Sequence, residues 1–289
     1  MSEVRPAAVA GTWYPATAGA LARDIDAYLE AADEPPRGRV DAIVAPHAGL
    51  MFSGPVGAYA YRAAAKSAPY DAVVLVGPSH FVGFDGVALY PSGAFDSPLG
   101  AVPIDEALGM ELMKASAIVQ PRPSAHRREH SVEMQLPFLR RLWPTTPIVP
   151  LLMGHQTRAT IEALALALTS IGSSRRLLLA ASTDLSHYFD AATATDLDAH
   201  VRAAVDAFDP DSLFARFEQY PAGERGRFVA CGGGPAIAVM MAARARGARH
   251  GRVLRYAHSG EVTGDMSGVV GYMAAAFGEF TRKESERAT

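Results

Sequence analysis

Short, uninterrupted apolar segments recur along this chain, and they constrain its fold more than any other feature. Two of them, residues 41–45 and 71–76, open with an aspartate, continue through Ala, Val, Ile or Leu, and are soon followed by a proline. A continuous apolar run of this length is typical of a parallel strand that is buried on both faces. Segments with helical periodicity separate these runs. The alternation predicts a three-layer α/β/α sandwich around a central, mostly parallel or mixed sheet.

The same periodicities assign most of the chain to individual elements. Helices are predicted at residues 19–32, 55–66, 105–115, 131–142, 158–171, 192–217 (two helices) and 235–246. Strands are predicted at residues 42–45, 72–76, 86–90, 148–153, 177–181, 253–258 and 268–275. Pro137 should kink the helix at 131–142, because proline lacks a backbone N–H. No linker or repeat divides the sequence, so we expect one domain over residues 1–289, with a polar tail at 279–289 that is prone to fray.

Composition narrows the class of protein. The chain has 289 residues and a formal net charge of −3, which gives no electrostatic reason to expect nucleic acid or a membrane surface as a partner. The longest apolar helical stretch, residues 161–171, is too short to span a bilayer, and the N-terminus lacks a signal-peptide pattern. A single cysteine rules out an intrachain disulfide and fits a reducing compartment. We therefore expect a cytoplasmic protein without a nucleic-acid or membrane partner.

Histidines follow three of the predicted strands. His47 and His80 come after the two runs described above, and residues 177–187 repeat the design, with Asp184 and His187 at the end. Ligand sites in open α/β sheets gather at the carboxyl ends of strands, so we expect these side chains at one sheet edge. Two converging imidazoles favour a metal site. The alternative is that each histidine only bonds to a neighbouring carbonyl group.

The chain's one cysteine lies in a setting that favours reactivity. Cys231 precedes three glycines and Pro235, which opens a predicted helix. The N-terminal end of a helix favours the thiolate, which is the form that binds metal ions. Together with His47 and His80, Cys231 would complete a site with three protein ligands and open positions. The alternative is a small, buried hydrophobic side chain.

A polar segment at residues 127–133 offers further candidates. His130 and Glu133 would share one face of the predicted helix at positions i and i+3, either supporting a metal ligand or relaying protons. They equally fit a helix cap followed by an exposed glutamate. Arg127 and Arg128 are candidate anion contacts, although adjacent arginines usually form a solvated surface.

Two aromatic residues at a predicted turn, Trp13 and Tyr14, either wall a ligand pocket or pack in the core. The remaining histidines show no comparable setting, and we interpret them as structural or surface residues. They are His126, His155, His200, His250 and His258.

Several of these segments together resemble the Memo family, whose prokaryotic members include protein B of the AmmeMemoRadiSam system. The matching segments follow the family's order from near the first residue to near the last, so the resemblance covers almost the whole chain. Each segment alone is a weak signal, whereas the set is specific. The segments are AGTWYP (10–15), APHAG (45–49), GPSH (77–80), SPLG (97–100), EHSVEMQLPF (129–138), STDLSH (182–187), CG (231–232) and SGVVGY (267–272).

The Memo family in turn resembles class III extradiol dioxygenases, which have the LigB-like α/β fold. This resemblance implies a single domain with the site at one edge of the sheet. In the dioxygenases two histidines and a glutamate hold Fe(II), which implies His47 and His80 as imidazole ligands here and Cys231 in place of the glutamate. His187 matches the acid/base histidine of the dioxygenases, and Asp184 lies beside it. A thiolate is softer than a carboxylate, so copper and zinc join Fe(II) as candidate ions.

The resemblance also implies how the cleft is used. In better-studied family members the same cleft is implicated in binding iron or copper and in recognising phosphotyrosine peptides, so a small molecule or a peptide is the expected ligand. Trp13 falls at the family's cleft aromatic residue, and Phe52 falls where such members carry a tyrosine. A radical-SAM protein is the partner expected from the prokaryotic system.

Three functions fit these observations. The first is a redox enzyme that binds Fe(II) or copper through the three ligands, with His187 moving protons. The second is a zinc-dependent hydrolase with Glu133 or Asp184 as the base. The third is a binding module that holds a phosphorylated, acidic or aromatic ligand without turnover. The substrate, the identity of the metal and the oligomeric state stay open.

Overall fold

The computed structural model describes residues 4–281, and its largest feature is a mixed β-sheet with helices on both faces. Within these residues, no helix is long and apolar enough to cross a membrane. The helices are α1 (Ala18–Ala31), α2 (Leu50–Ser67), α3 (Glu106–Ala115), α4 (Pro123–His126), α5 (Leu136–Leu142), α6 (Arg158–Ser170), α7 (Ala191–Asp206), α8 (Pro210–Glu218), α9 (Arg225–Phe228), α10 (Gly233–Ala245) and α11 (Gly260–Thr263). The strands are β1 (Val4–Arg5), β2 (Gly38–Ala45), β3 (Ala72–Pro78), β4 (Val87–Leu89), β5 (Ala94–Phe95), β6 (Val102–Pro103), β7 (Val119–Pro121), β8 (Ile148–Met153), β9 (Leu177–Ser182), β10 (His187–Phe189), β11 (His250–His258) and β12 (Val269–Phe280).

Four parallel strands form the centre of the large sheet. They lie side by side in the order β2, β9, β3 and β8. Antiparallel strands flank this block, with β12 beside β2 and β4 beside β8. β12 also pairs with β10 and β11, and β7 pairs with β4 at the far edge. This mixed sheet between layers of helices confirms the predicted α/β/α class, and β1, β5 and β6 form a separate small sheet.

The apolar runs of the central strands are buried on both faces, as their composition predicts. In β2, Ala42 and Val44 face one core, whereas Ile43 and Ala45 face the other. Helices α6 and α10 pack together on the first face, and α1 and α2 pack together on the second. Because β2, β3 and β9 run in the same direction, the loops that follow them all emerge at one edge of the sheet.

Residues 131–142 depart from the single kinked helix that the pattern predicts. The segment begins as a loop, makes a 3₁₀ turn at Glu133–Gln135, and becomes α-helical only at Leu136. Pro137 therefore lies in the first turn of α5, where a missing N–H costs no helical hydrogen bond, and the predicted kink has no cause. His130 precedes the turn, so it does not share a helical face with Glu133.

The last strand extends further than predicted. β12 continues to Phe280, because Glu279 and Phe280 pair with Arg39 and Gly38 at the start of β2. The first two residues of the expected polar tail therefore belong to the sheet. The part of that tail at residues 282–289 lies outside the described residues.

His187 is not carried directly by the third strand. β9 ends at Ser182, Asp184 lies in the loop that follows, and His187 opens the edge strand β10. β10 pairs with β12, so the loop crosses from the centre of the sheet to its edge. Asp184 and His187 are consequently presented by a loop anchored at both ends.

Candidate metal centre

Three side chains meet at the carboxyl edge of the sheet. His47 follows β2, His80 follows β3, and Cys231 precedes α10. Their ligand atoms all lie within 4.8 Å of one another, and the Sγ of Cys231 is 3.2 Å from the Nε2 of His47. Bonds from a metal ion to nitrogen or sulfur measure about 2.0–2.3 Å, so donors to one ion lie within roughly 4–5 Å of each other. The spacing fits a single ion held by these three residues.

The ring of His47 is held so that its Nε2 faces the site. Its Nδ1 lies 2.9 Å from the Oγ of Ser182, and that hydroxyl donates its own hydrogen to the carbonyl oxygen of Ser131 at 2.6 Å. The side chain of Gln135 donates to the same Oγ. Because the hydroxyl hydrogen is used elsewhere, the Nδ1 of His47 must be the donor. Nε2 of His47 is therefore the ring nitrogen that faces Cys231 and is left for an ion.

His80 is oriented by a buried carboxylate. The Oε1 of Glu129 lies 2.9 Å from the Nδ1 of His80, and the carboxylate also accepts from the backbone N–H groups of His80, His130 and Ser131. Burial opposes the negative charge, but these donors, above all those of His80, lower the pKa of Glu129 to about 2. A carboxylate only accepts, so Nδ1 of His80 carries a hydrogen and its Nε2 is left for an ion.

Cys231 is set up to ionise. Burial opposes the charged form, yet the charge and hydrogen bond of His47 and the hydrogen bond of His80 lower the pKa of the thiol to about 6. The backbone N–H of Asp184 donates to Sγ from 3.3 Å, and α10 begins two residues further on. A thiolate with two imidazoles is a donor set that suits iron, copper or zinc.

The turn that carries Cys231 is fixed by Gln156, from the loop after β8. Its side-chain amide donates to the carbonyl oxygen of Cys231 at 2.7 Å, and its Oε1 accepts from the N–H of Gly234 at 2.7 Å. A Cβ at Gly232 would lie 2.4 Å from the carbonyl oxygen of Ser182. Glycine is therefore needed here, because the start of α10 approaches the end of β9 closely.

The three ligands open into a cleft of about 500 Å³. Trp13 and His130 line it with their rings, whose centroids are 4.2 Å apart. His187 and Arg227 also line it, and the guanidinium carbon of Arg227 lies 4.8 Å from the ring centre of Phe189. The cleft therefore combines aromatic walls with an imidazole and a positive charge beside the candidate metal ligands.

His187 and Asp184 both line the cleft, but His187 offers a proton acceptor whereas Asp184 holds a loop in place. The Nδ1 of His187 lies 2.7 Å from the carbonyl oxygen of Leu185, so in the neutral ring Nδ1 carries the hydrogen and Nε2 can accept a proton. Asp184 accepts from the backbone N–H of His47 at 2.7 Å and of Ala48 at 3.3 Å. It fastens the loop that carries the first ligand, and burial raises its pKa.

His130 belongs to the wall of the cleft. Its ring is stacked on that of His80, with centroids 4.7 Å apart and an interplanar angle of 12°. Burial and the nearby charge of His47 lower the pKa of His130 to about 3. At neutral pH the ring is uncharged, which suits an aromatic wall better than the proton relay considered from the sequence.

Glu133 and Tyr14 are not brought into the cleft. Glu133 is fully buried and bonds to the guanidinium of Arg5 at 2.5 Å, while the hydroxyl of Tyr14 donates to its other oxygen at 2.8 Å. The backbone N–H groups of Ala8 and Val9 donate to the same carboxylate. Because both of its oxygens are engaged, Glu133 holds the N-terminal segment in place. It therefore does not serve as the pocket residue or base that the sequence suggested.

Phe52 and the arginine pair also lie away from the cleft. α2 begins at Leu50, so Phe52 belongs to its first turn and lines a separate cavity of about 220 Å³. Arg127 and Arg128 are exposed, and the guanidinium carbon of Arg128 lies 5.0 Å from the ring centre of Phe81. Among the described residues, Arg227 is the arginine that lines the cleft.

Three residues of the site are not singled out by the sequence pattern. Glu129 immediately precedes His130, so an acidic residue beside a candidate histidine was an available signal. Gln156 lies in the loop after β8, 75 residues before Cys231, and Arg227 lies in the short helix α9, four residues before Cys231. No local pattern marks either residue, and their roles emerge only when the folded chain brings these segments to the carboxyl edge of the sheet.

The sequence matches a known family over nearly its whole length. The model of the family described as Memo-like protein matches residues 5–276. This chain belongs to the Memo-like family. MEMO1 family proteins from Methanothermobacter thermautotrophicus and Methanopyrus kandleri are each 35% identical to it, covering 93% and 94% of this chain and 98% of each relative. A MEMO1 family protein from Ignicoccus hospitalis is 34% identical, covering 95% of this chain and 98% of its own.

A solved structure supports the fold. The crystal structure of an uncharacterized protein, JW3007, from Escherichia coli K12 has a TM-score of 0.58 to this chain, at 14% sequence identity. The match covers 83% of this Memo-like chain and 100% of the other chain. At that identity the likeness concerns the fold alone, and the names of the Memo relatives specify no activity.

Proposed function

We propose that this Memo-like protein is a metal-dependent redox enzyme that binds one ion of iron(II) or copper through His47, His80 and Cys231. The observation that carries the proposal is the set of three donor atoms within 4.8 Å of one another. Each imidazole is oriented by a bond at its far nitrogen, which is the usual arrangement of metal-binding histidines. Three protein ligands leave positions open for substrate or dioxygen.

Redox chemistry agrees with the donor set and with the family's resemblance to class III extradiol dioxygenases. A thiolate beside two imidazoles suits iron or copper, and such an ion would supply a site for dioxygen and for one-electron chemistry. A zinc hydrolase would need a free base near the ion. Of the two carboxylates considered as that base, Glu133 is bonded to Arg5, and Asp184 accepts from the backbone N–H groups of His47 and Ala48. Hydrolysis would therefore depend on His187 as its base, which makes it the weaker alternative.

The residues around the ligands have separate roles in this proposal. Nε2 of His187 takes a proton from an acidic hydroxyl of the substrate and returns it later. Trp13 and His130 contact the flat face of the substrate, and Arg227 pairs with a negative group on it. Asp184 keeps the loop of His47 in place.

Oxygen consumption tests this function. Protein purified without air is loaded with Fe(II), Cu(I) or Zn(II) and mixed with catechols and other small aromatic acids in an oxygen electrode. We expect consumption with iron or copper and none with zinc. His187→Gln should lower the rate by about 10²–10⁴-fold with unchanged metal content, whereas His200→Gln, at an exposed histidine of α7, should match the wild type.

Two results would replace this proposal. Retention of zinc by protein purified without air, with no oxygen consumption on any compound tried, would favour a hydrolase. Binding of an acidic aromatic ligand or a phosphopeptide that is equally tight after metal removal would favour a binding module.

A further inference from the structure

A second polar cavity, of about 430 Å³, lies at the opposite edge of the sheet from the metal ligands. Its lining comes from the start of β2, the loop before β9 and the C-terminal end of α10. Four arginines contribute to it: Arg39, Arg175, Arg176 and Arg246. We propose that this cavity binds a small phosphorylated molecule that carries at least two negative charges.

Two of these arginines are held by aspartates. Nε of Arg39 donates to the carboxylate of Asp41, and Nη2 of Arg175 donates to the carboxylate of Asp105. Within residues 4–281, the side-chain hydrogen bonds of Arg39 use Nε alone, and those of Arg175 use Nη2 alone. A guanidinium has five N–H donors on three nitrogens. The side chains are therefore fixed in place, while donors remain on their other nitrogens.

The other two arginines are held by neutral groups. Nη2 of Arg176 donates to the Oγ of Ser67 at 2.8 Å, and Nη1 of Arg246 donates to three backbone carbonyl oxygens at the end of α6. Neither of these bonds compensates a positive charge. The lining itself holds four arginines and one aspartate, Asp41, while Asp71, Asp105 and Glu111 act on Arg175 from outside it. An anion in the cavity would offset the positive charge of the lining.

The arrangement suits phosphate better than carboxylate. The four guanidinium groups come from three different elements, and a tetrahedral phosphate offers oxygens in several directions, whereas a planar carboxylate engages one fork. Two exposed serines of the lining, Ser173 and Ser174, add hydroxyl donors. A volume of about 430 Å³ lies within the range of small-molecule sites and leaves room beyond a single phosphate.

This site is separate from the metal centre. β2 begins near Arg39 and ends before His47, and α10 begins after Cys231 and ends before Arg246. The two sites therefore lie at opposite ends of the same elements. The anion proposal does not depend on the redox proposal, and either can fail alone.

Calorimetric titration of the full, metal-free chain with pyrophosphate, ADP and citrate tests the proposal. Arg39→Gln is the main variant, because Arg39 is 45% exposed and, within residues 4–281, forms its ion pair with Asp41. Arg141→Gln is the matched control, since Arg141 is 46% exposed and pairs with Asp26 on a different face. Arg176→Gln removes one of the uncompensated charges and serves as a second variant.

We expect saturable binding of pyrophosphate and ADP to one site per chain, at physiological salt. Arg39→Gln and Arg176→Gln should each weaken it about tenfold, the effect of losing a charge-assisted hydrogen bond. Arg141→Gln should bind as the wild type does, and metal binding should be unchanged in all three variants. Absence of saturable binding, equal weakening in Arg141→Gln, or citrate binding as tight as pyrophosphate would overturn the proposal.

Discussion

Opposite charges are concentrated on two adjacent ligands of the candidate metal centre. The thiol of Cys231 has a pKa of about 6, so it is largely ionised at neutral pH. Burial disfavours a charged His80, but hydrogen bonds and charges from Cys231 and Glu129 outweigh it and raise the pKa of His80 to about 10. A metal ion binds neutral imidazole and thiolate, so an incoming ion must displace the proton of His80.

Metal affinity should therefore rise with pH. Between about pH 6.5 and pH 9, one proton leaves His80 for each ion bound, so the association constant should increase about tenfold per pH unit. Below about pH 6 the thiol of Cys231 also holds a proton, and the dependence should steepen. Competition titrations against a chelator measure this slope. An affinity that stays constant over the range would contradict these protonation states.

Glu129→Gln tests whether the orientation of His80 matters. The variant keeps all three metal ligands, His47, His80 and Cys231, but the charged acceptor at the Nδ1 of His80 is lost. Loss of such a supporting group typically weakens metal binding by about 10–100-fold. Competition titration of the purified variant gives the change in affinity.

Glu133→Gln is the control for that variant. Glu133 is equally buried and lies four residues further on, but it bonds to Arg5 instead of a ligand. This variant should lower the free energy of unfolding by about 3–5 kcal/mol, because Arg5 is left as a buried, unpaired charge. The metal affinity of the folded protein should not change. Equal losses of affinity in both variants would argue against a specific role for Glu129.

Among the elements of the described residues, aspartate side chains cap the N-terminal ends of α3, α7 and α8. Asp105 shows the principle at the start of α3, where its Oδ1 accepts from the N–H of Leu108 at 3.0 Å. Its Oδ2 bonds to Arg175, in the loop before β9. One carboxylate thus caps a helix and ties it to the amino edge of the central sheet.

Asp105→Ala should lower the free energy of unfolding by about 1–2 kcal/mol at neutral pH. Partial burial opposes the charge, but Arg175 and the N–H of Leu108 outweigh it and lower the pKa of Asp105. The stabilisation is therefore complete above the unfolded-state value of about 3.9 and is lost as the pH falls through the lower folded-state pKa. Urea unfolding should show the gap between variant and wild type shrinking below about pH 4. A gap independent of pH would show that the charge contributes nothing.

Elements with strong periodicity are predictable from the sequence, whereas those set by tertiary contacts are not. The apolar runs before His47 and His80 must be buried in any compact fold, so the location of both histidines at one edge of the sheet follows from the shared strand direction. Glu129 is held by bonds to the loop of His80, which lies 49 residues away and leaves no local pattern. The same contacts keep residues 129–132 out of a helix. Helical spacing therefore pairs His130 with Glu133, although the fold separates them.

At the scale of the whole molecule, two apolar cores share one sheet. β2, β3 and β9 send alternate side chains into both cores, so neither core can lose these strands without exposing the other. This coupling predicts a single cooperative unfolding transition, in keeping with one domain. It also means that an ion bound at the ends of these strands should stabilise both cores together.

A bound ion should raise the melting temperature of the whole chain. A ligand present at about 100 times its Kd adds roughly 2.7 kcal/mol to stability, which corresponds to about 4–5 °C for a chain of this size. Calorimetry with and without iron(II) or copper measures the shift, which Cys231→Ser should largely abolish. Two separate transitions, with the ion acting on one of them, would contradict the shared sheet.

Metal content decides whether His47, His80 and Cys231 hold an ion. Elemental analysis is made on chain purified without air, as wild type, as Cys231→Ser and as His200→Gln. We predict about one iron or copper ion per chain in the wild type and in His200→Gln, and a small fraction of that in Cys231→Ser. Full metal content in Cys231→Ser, or no retained ion in a wild type offered iron and copper, would show that His47, His80 and Cys231 do not form the site.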